Sequence, residues 1–126
     1  MHSTAPPRTI LVVDDHDAHR RLLEMVLGAH NYRVICASDG HEALRYLAFG
    51  TPDAIILDVH MPHMSGFDVV RRVRRLARLR TVPILIMTSA ASPETSGRAD
   101  EVGASGVIYK PIAGIDLDQR LRALMA

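Results

Sequence analysis

Residues 54–78 read AIILDVHMPHMSGFDVVRRVRRLAR, and within this stretch the chain changes from one periodicity to another. Ala54 to Leu57 is a short run apolar on both faces, as in a strand covered on both sides by helices. Asp58 ends it. Pro62 and Gly66 then shape a loop, Gly66 letting the backbone turn tightly. Ser65, with Asp68 three residues on, is a helix-start signal. Val69, Val73 and Leu76 line one side of the helix predicted to follow. The segment is a strand, a loop and a helix in succession.

The same unit recurs on either side. Further strands are predicted at TILVV (9–13), YRVICA (32–37), VPILIM (82–87) and GVIY (106–109). Between them lie segments with helical spacing. HRRLLEMVLGAH carries Leu22, Leu23, Val26 and Leu27 on one face. Asp39 opens a short helix with Glu42 at the reciprocal capping position. ETSGRADEVG is the weakest helix, with Thr, Ser and Gly inside it. Asp116 to Met125 closes the chain with Leu117, Leu121 and Leu124 aligned. Strand and helix alternate five times, the signature of an α/β fold with a parallel sheet. Right-handed crossovers place helices on both faces. Residues 1–8, polar with two prolines, read as a loose tail, and 9–126 as one domain.

Composition agrees with one ordinary domain: 126 residues, 48% hydrophobic and 23% charged. A net charge of +1 creates no field drawing the chain to nucleic acid or membrane, so neither is an expected partner. MHSTAPPRT lacks the apolar core of a signal peptide, and a soluble, cytoplasmic protein is expected. Cys36 is the single cysteine and lies in an apolar run, where a buried structural thiol is expected. RRVRRLARLR carries six arginines; a solvated helix face accounts for them better than a nucleic-acid patch, with Val73, Leu76 and Ala77 buried.

The polar residues that end the strands carry the chemistry. Asp14 and Asp15 end the first, Asp58 the third, Thr88 the fourth and Lys110 the fifth. In a parallel sheet all C-terminal ends share one edge, where open α/β sheets bind ligands. Carboxylates this close repel unless a cation intervenes. Oxygen donors suit Mg²⁺, which keeps several waters and takes a few carboxylates plus phosphate oxygens. With a hydroxyl from Thr88 and a point charge from Lys110, the set fits phosphoryl transfer, and Asp58 is the natural nucleophile. Lys110 is the only lysine among fifteen basic side chains. A compact ammonium approaches one phosphoryl oxygen, where arginine offers a broad planar fork.

The constellation resembles the receiver domain of two-component response regulators. It is carried by VVDD at the first strand end, DVHMPHMSGFD around Asp58, MTSA at Thr88 and VIYKP at Lys110. The resemblance implies a flavodoxin-like (βα)5 domain with strand order 2-1-3-4-5. It implies that Asp58 accepts a phosphoryl group from the phosphohistidine of a sensor histidine kinase or phosphotransfer protein. Mg²⁺, or Mn²⁺ in its place, is then held by Asp14, Asp15, Asp58 and the backbone carbonyl of His60. Thr88 and Lys110 hold phosphoryl oxygens, and the phosphorylated form changes affinity for a downstream protein. Such a chain catalyses only its own phosphorylation and slow dephosphorylation. Pro111 matches the family proline that follows a cis peptide bond.

Departures from the family pattern concern output. The aromatic common three residues before the lysine is replaced by Val107, and Tyr109 stands beside Lys110. Alternation places 107 and 109 on one sheet face, so Tyr109 is a candidate substitute switch. His60 and Ala90 occupy places that tune phosphorylation and hydrolysis rates, and the His60 ring at the pocket mouth is a candidate modulator. His16-x-x-His19 and His60-x-x-His63 raise a zinc site, against which the carboxylate-rich set favours a hard cation. Two other readings stand beside the receiver: an unphosphorylated interaction module of the same fold, and an aspartyl-phosphate phosphatase of the haloacid-dehalogenase type using Asp15-x-Asp17.

Overall fold

A computed structural model describes residues 6–89 and 93–126. The strands are β1 (Thr9–Val13), β2 (Arg33–Ala37), β3 (Ala54–Asp58), β4 (Ile84–Thr88) and β5 (Gly106–Tyr109). The helices are α1 (Asp17–Ala29), α2 (Gly40–Leu47), α3 (Gly66–Arg75), α4 (Pro93–Val102) and α5 (Gly114–Met125). All neighbouring strands pair in parallel, in the order β2-β1-β3-β4-β5. The expected doubly wound sheet is therefore the one observed. No helix among the described residues is long and apolar enough to cross a membrane.

Alternation along the strands builds two cores. Leu11, Val13, Ile55, Leu57, Ile84 and Ile86 face α2, α3 and α4 and pack with Leu47, Val69, Val70 and Val73. Ile10, Val12, Ile56, Leu85, Met87 and Ile108 face the other way, against Leu23 and Leu27 of α1 and Leu117 and Leu121 of α5. The three central strands are buried on both faces, whereas β2 and β5 are half-exposed because each is an edge.

Local signals explain the element starts. Ser65 Oγ accepts from the Asp68 N–H and the Asp68 carboxylate accepts from the Ser65 N–H, both at 3.3 Å, a complete capping box for α3. At α2 only half of the expected reciprocal cap forms. Asp39 accepts from the Glu42 N–H at 2.8 Å, but the Glu42 carboxylate accepts from Ser38 Oγ instead.

Four apolar residues are less buried than their sequence pattern suggests. Leu76 is 40% exposed and Ala77 is exposed, because the chain leaves the α-helix at Leu76 (ψ 118°) and enters a single 3-10 turn at Ala77–Leu79. Val70 and Leu79 take the buried places instead. Leu22, on α1, is 53% exposed. Cys36 is half-buried, with Sγ donating to the Glu24 carboxylate at 3.0 Å. Desolvation, reinforced by that carboxylate, pushes its thiol up to about 12, which keeps it an unreactive thiol.

The arginine-rich segment is not merely solvated. Arg74 donates to the carbonyls of Gly103 (2.9 Å) and Leu79 (2.8 Å), and its burial lowers its pKa. Arg78 donates to the carbonyls of Gly50 (3.1 Å) and Leu47. These two side chains satisfy turn carbonyls that the helices leave open. The remainder, Arg71, Arg72, Arg75 and Arg80, are exposed. Of the expected tail, residues 1–5 lie outside the described residues, while the Arg8 carbonyl accepts from the Arg33 N–H at 2.9 Å.

A polar cluster around the buried Asp118 ties the turn before β2 to α5. Asp118 accepts from Tyr32 Oη at 2.7 Å and from Arg122 Nε at 3.2 Å, with His30 Nδ1 at 3.5 Å. The Tyr32 hydrogen bond, then those of Arg122, hold its carboxyl below the usual carboxylate range. A depressed native pKa stabilises the fold above the unfolded value and loses that contribution as pH falls through the native one. Asp118→Asn is therefore expected to lower stability at pH 7 by about 1–2 kcal/mol. The difference should shrink below about pH 4, where the unfolded carboxyl protonates. Denaturant midpoints of both proteins at pH 7 and pH 3 check this; a gap that does not change with pH would refute the ionic role.

Candidate functional site

The C-terminal ends of β1, β3, β4 and β5 deliver their polar residues to one edge of the sheet. Asp58 and Asp14 are buried, at 3% and 0% exposure. Lys110 Nζ donates to Asp58 Oδ2 at 2.7 Å and lies 3.9 Å from Asp14 Oδ2. The other Asp58 oxygen accepts from the His60 N–H at 2.9 Å. Lys110 is placed by its own backbone, whose N–H donates to the Thr88 carbonyl at 2.9 Å, and the Lys110–Pro111 peptide bond is cis. Thr88 is buried beside it, opposite Tyr109 in the ladder.

The loop after β3 is pinned at both ends. The Val59 N–H donates to the Met87 carbonyl and the Gly66 N–H to the Val59 carbonyl, each at 3.0 Å. A Cβ on Gly66 would lie 2.5 Å from the Asp58 carbonyl oxygen, so this glycine is what lets α3 begin against the site.

Three carboxylates against one ammonium leave an excess of negative charge, which a divalent cation would balance. Asp15 Oδ1 is buried and accepts no hydrogen bond, although His16 Nδ1 stands 3.2 Å away. Asp14, Asp15, His16 and Asp58 each offer a ligand atom, all within 4.8 Å of one another. The donor set fits a divalent metal ion, held by the carboxylates.

The response regulator receiver domain family matches residues 10–122. The chain belongs to that family. Receivers bind Mg²⁺ in their acidic site and interact with histidine kinases and phosphotransfer partners; they are regulatory rather than metabolic catalysts. The chain is 37% identical over 117 residues to the transcriptional regulatory protein AfsQ1 of Streptomyces coelicolor, covering 93% of this chain and 51% of that protein. It is 42% identical over 120 residues to the response regulator PleD of Caulobacter vibrioides, covering 91% and 25% respectively. It thus spans about half or less of the length of such relatives. The chemotaxis protein CheY4 of Vibrio cholerae superposes with a TM-score of 0.90 at 36% identity, over 94% of this chain and 98% of that one. The receiver domain of the sensor histidine kinase PA1611 of Pseudomonas aeruginosa, solved with magnesium in its active-site cleft, superposes at 0.88 with 27% identity, over 94% and 98%.

Other residues singled out in the receiver's sequence fall as follows. The His60 ring is exposed, and its contact with the site is through its backbone. Val107 is half-buried against the α3–α4 core, while Tyr109 is 40% exposed and its hydroxyl lies 3.3 Å from Ser96 Oγ on α4. Ala90 lies outside the described residues. Asp17, the second carboxylate of the phosphatase reading, points away and pairs with Arg20 on the surface.

Two contacts around the site were not foreseen. His19 Nδ1 contacts Asp14 Oδ2, and Arg20 Nη1 donates to the Asp14 carbonyl at 2.7 Å. The H-x-x-H spacing was visible, but nothing in it indicated that the first turn of α1 folds back onto the end of β1.

Proposed function

We propose that Asp58 is the phosphoryl acceptor of a single receiver unit spanning residues 9–126. The observation that carries the reading is the Asp58 carboxylate itself: buried, gripped by Lys110 on one oxygen and by the His60 N–H on the other, beside the Asp14 and Asp15 carboxylates. An Asp58 oxygen attacks the phosphorus of a phosphohistidine, the P–N bond breaks, and the imidazole leaves with a proton. Asp14, Asp15, Asp58 and the His60 carbonyl would hold Mg²⁺, which would supply neutralising charge for the transferring group. Lys110 and the Thr88 hydroxyl take phosphoryl oxygens. Tyr109, tied to Ser96, is the element through which β5 and α4 report the change.

Incubation with Mg²⁺ and a small acyl phosphate tests this. One phosphoryl mass should be added to the intact chain, chelation should prevent it, and borohydride reduction should map the acyl phosphate to Asp58. No addition from any donor, or modification elsewhere, would sink the proposal.

The donor's docking surface follows from position. A groove of about 120 Å³ runs between α1 and the start of α5, lined by Leu22, Leu23, Val26 and Ile112, with Lys110 as one wall. A partner seated there brings its phosphohistidine to the acidic edge. Leu22→Glu is expected to slow transfer from a phosphohistidine protein roughly 5–30-fold, the equivalent of about 1–2 kcal/mol of docking. Uptake from the small acyl phosphate should be unaffected; equal loss with both donors would place Leu22 outside docking.

A further inference from the structure

We propose that a cavity at the N-terminal edge of the sheet binds a small organic phosphate between Arg8 and Arg122. The inference is independent of the phosphoryl-acceptor reading, because the acidic site lies at the opposite, C-terminal edge. The cavity measures about 380 Å³, the size of a small-molecule site. Three parts of the chain line it: Arg8 before β1, the turn His30–Tyr32 before β2, and Arg122, Met125 and Ala126 at the end of α5. No acidic side chain is among the lining residues.

Both guanidiniums are anchored at one point and open elsewhere. Arg8 Nη1 donates to the Met125 carbonyl at 2.8 Å, while its Nε and Nη2 donate to nothing among the described residues. Arg122 reaches Asp118 through Nε, 3.2 Å from one oxygen and 3.1 Å from the other, and its side chain is 70% exposed. Asp118 is buried and also takes the Tyr32 hydroxyl at 2.7 Å. That carboxylate balances one of the two arginines and leaves the other positive charge uncompensated. The turn between them is fixed by the end of α1. The Asn31 N–H donates to the Gly28 carbonyl at 3.0 Å and the Tyr32 N–H to the Leu27 carbonyl at 3.1 Å, the paired bonds that close a helix through a left-handed residue, here Asn31 at φ 69°. The lining is held in place before a ligand arrives, which lowers the ordering cost of binding.

The walls select the ligand. A carboxylate is satisfied by a single guanidinium fork, whereas a phosphate monoester carries a third terminal oxygen and can accept from two forks at once. Arg8 and Arg122 stand on different parts of the lining, as two such donors would. A bare phosphate fills only part of the volume. Met125 and Tyr32, both half-buried against the α1–α5 core, add apolar surface for an organic body.

The test titrates ¹⁵N-labelled protein, without Mg²⁺, with inorganic phosphate and with adenosine monophosphate. The nucleotide should shift the Arg8 and Arg122 Nε–H resonances and the Tyr32 amide in a saturable way, and should bind more tightly than inorganic phosphate. Arg8→Ala should weaken nucleotide binding about 10–100-fold. Arg8 is exposed and its one hydrogen bond is to Met125, so this variant is expected to fold, which its melting temperature checks. Arg8→Lys keeps the charge without the fork and should recover only part of the affinity. Absence of a saturable shift at millimolar nucleotide, shifts centred on Asp58 and Lys110, equal affinity for the two probes, or undiminished affinity in Arg8→Ala would each overturn the proposal.

Discussion

Lys110→Ala is expected to slow phosphorylation of the chain by a small acyl phosphate roughly 10²–10³-fold, the usual consequence of removing one preorganised donor from a developing negative charge. Lys110 Nζ already sits 2.7 Å from Asp58 Oδ2, the proposed acceptor, so little reorganisation is needed to reach incoming phosphoryl oxygens. Lys110→Arg should recover only part of the rate. The guanidinium is planar and broad, and the space between Asp58 and Asp14 is shaped for an ammonium 2.7 and 3.9 Å from their oxygens. The same variants carry a thermodynamic signature. Without the ammonium, two buried carboxylates face each other with less compensation, so Lys110→Ala should gain more thermal stability from added Mg²⁺ than wild type does. Rates come from intact mass against time, and the linkage from melting temperatures with and without Mg²⁺. A wild-type rate in Lys110→Ala would remove Lys110 from the chemistry.

The site was legible because a parallel sheet converts one-dimensional information into position. Any polar residue just after an apolar strand lands on the same edge, so Asp14, Asp58, Thr88 and Lys110 could be gathered without coordinates. The capping box at Ser65 was equally readable, since both partners lie within one turn. What escaped depends on side-chain rotamers or on contacts distant in sequence. Arg78 reaches back to carbonyls near the end of α2, which no local pattern encodes. His19 and Arg20 turn toward Asp14 because α1 starts close behind β1. Leu76 carried a correct helical phase, yet neither glycine nor proline marks the point where α3 ends one residue before it. The exposed Leu22 likewise fits a helical pattern that cannot say which edge of an apolar face is covered.

Gly66→Ala is expected to destabilise the fold by about 1–3 kcal/mol and to slow phosphorylation at Asp58 in the same protein. Two effects compete. Gly66 is the first residue of α3, where alanine would improve helix propensity by up to about 1 kcal/mol. Against that, the new Cβ would stand 2.5 Å from the Asp58 carbonyl oxygen and 2.8 Å from Leu57 Cδ1. The side chain of Leu57 can yield; the Asp58 peptide belongs to the central strand and yields less. Either α3 moves away, losing the Gly66 N–H bond to Val59, or the Asp58 peptide tilts and carries its carboxylate off the Lys110 ammonium. Both routes damage the acceptor, so stability and reactivity should fall together. Gly28→Ala is the control, since a Cβ there meets nothing within 4 Å on the exposed side of the last turn of α1. It should be neutral or stabilising by up to about 1 kcal/mol, with an unchanged phosphorylation rate. Urea midpoints and phosphorylation rates of the two variants separate close approach from general glycine effects. If Gly66→Ala behaves like Gly28→Ala, then the loop between β3 and α3 is slack, and the tight seat of α3 against Asp58 is not what positions the acceptor.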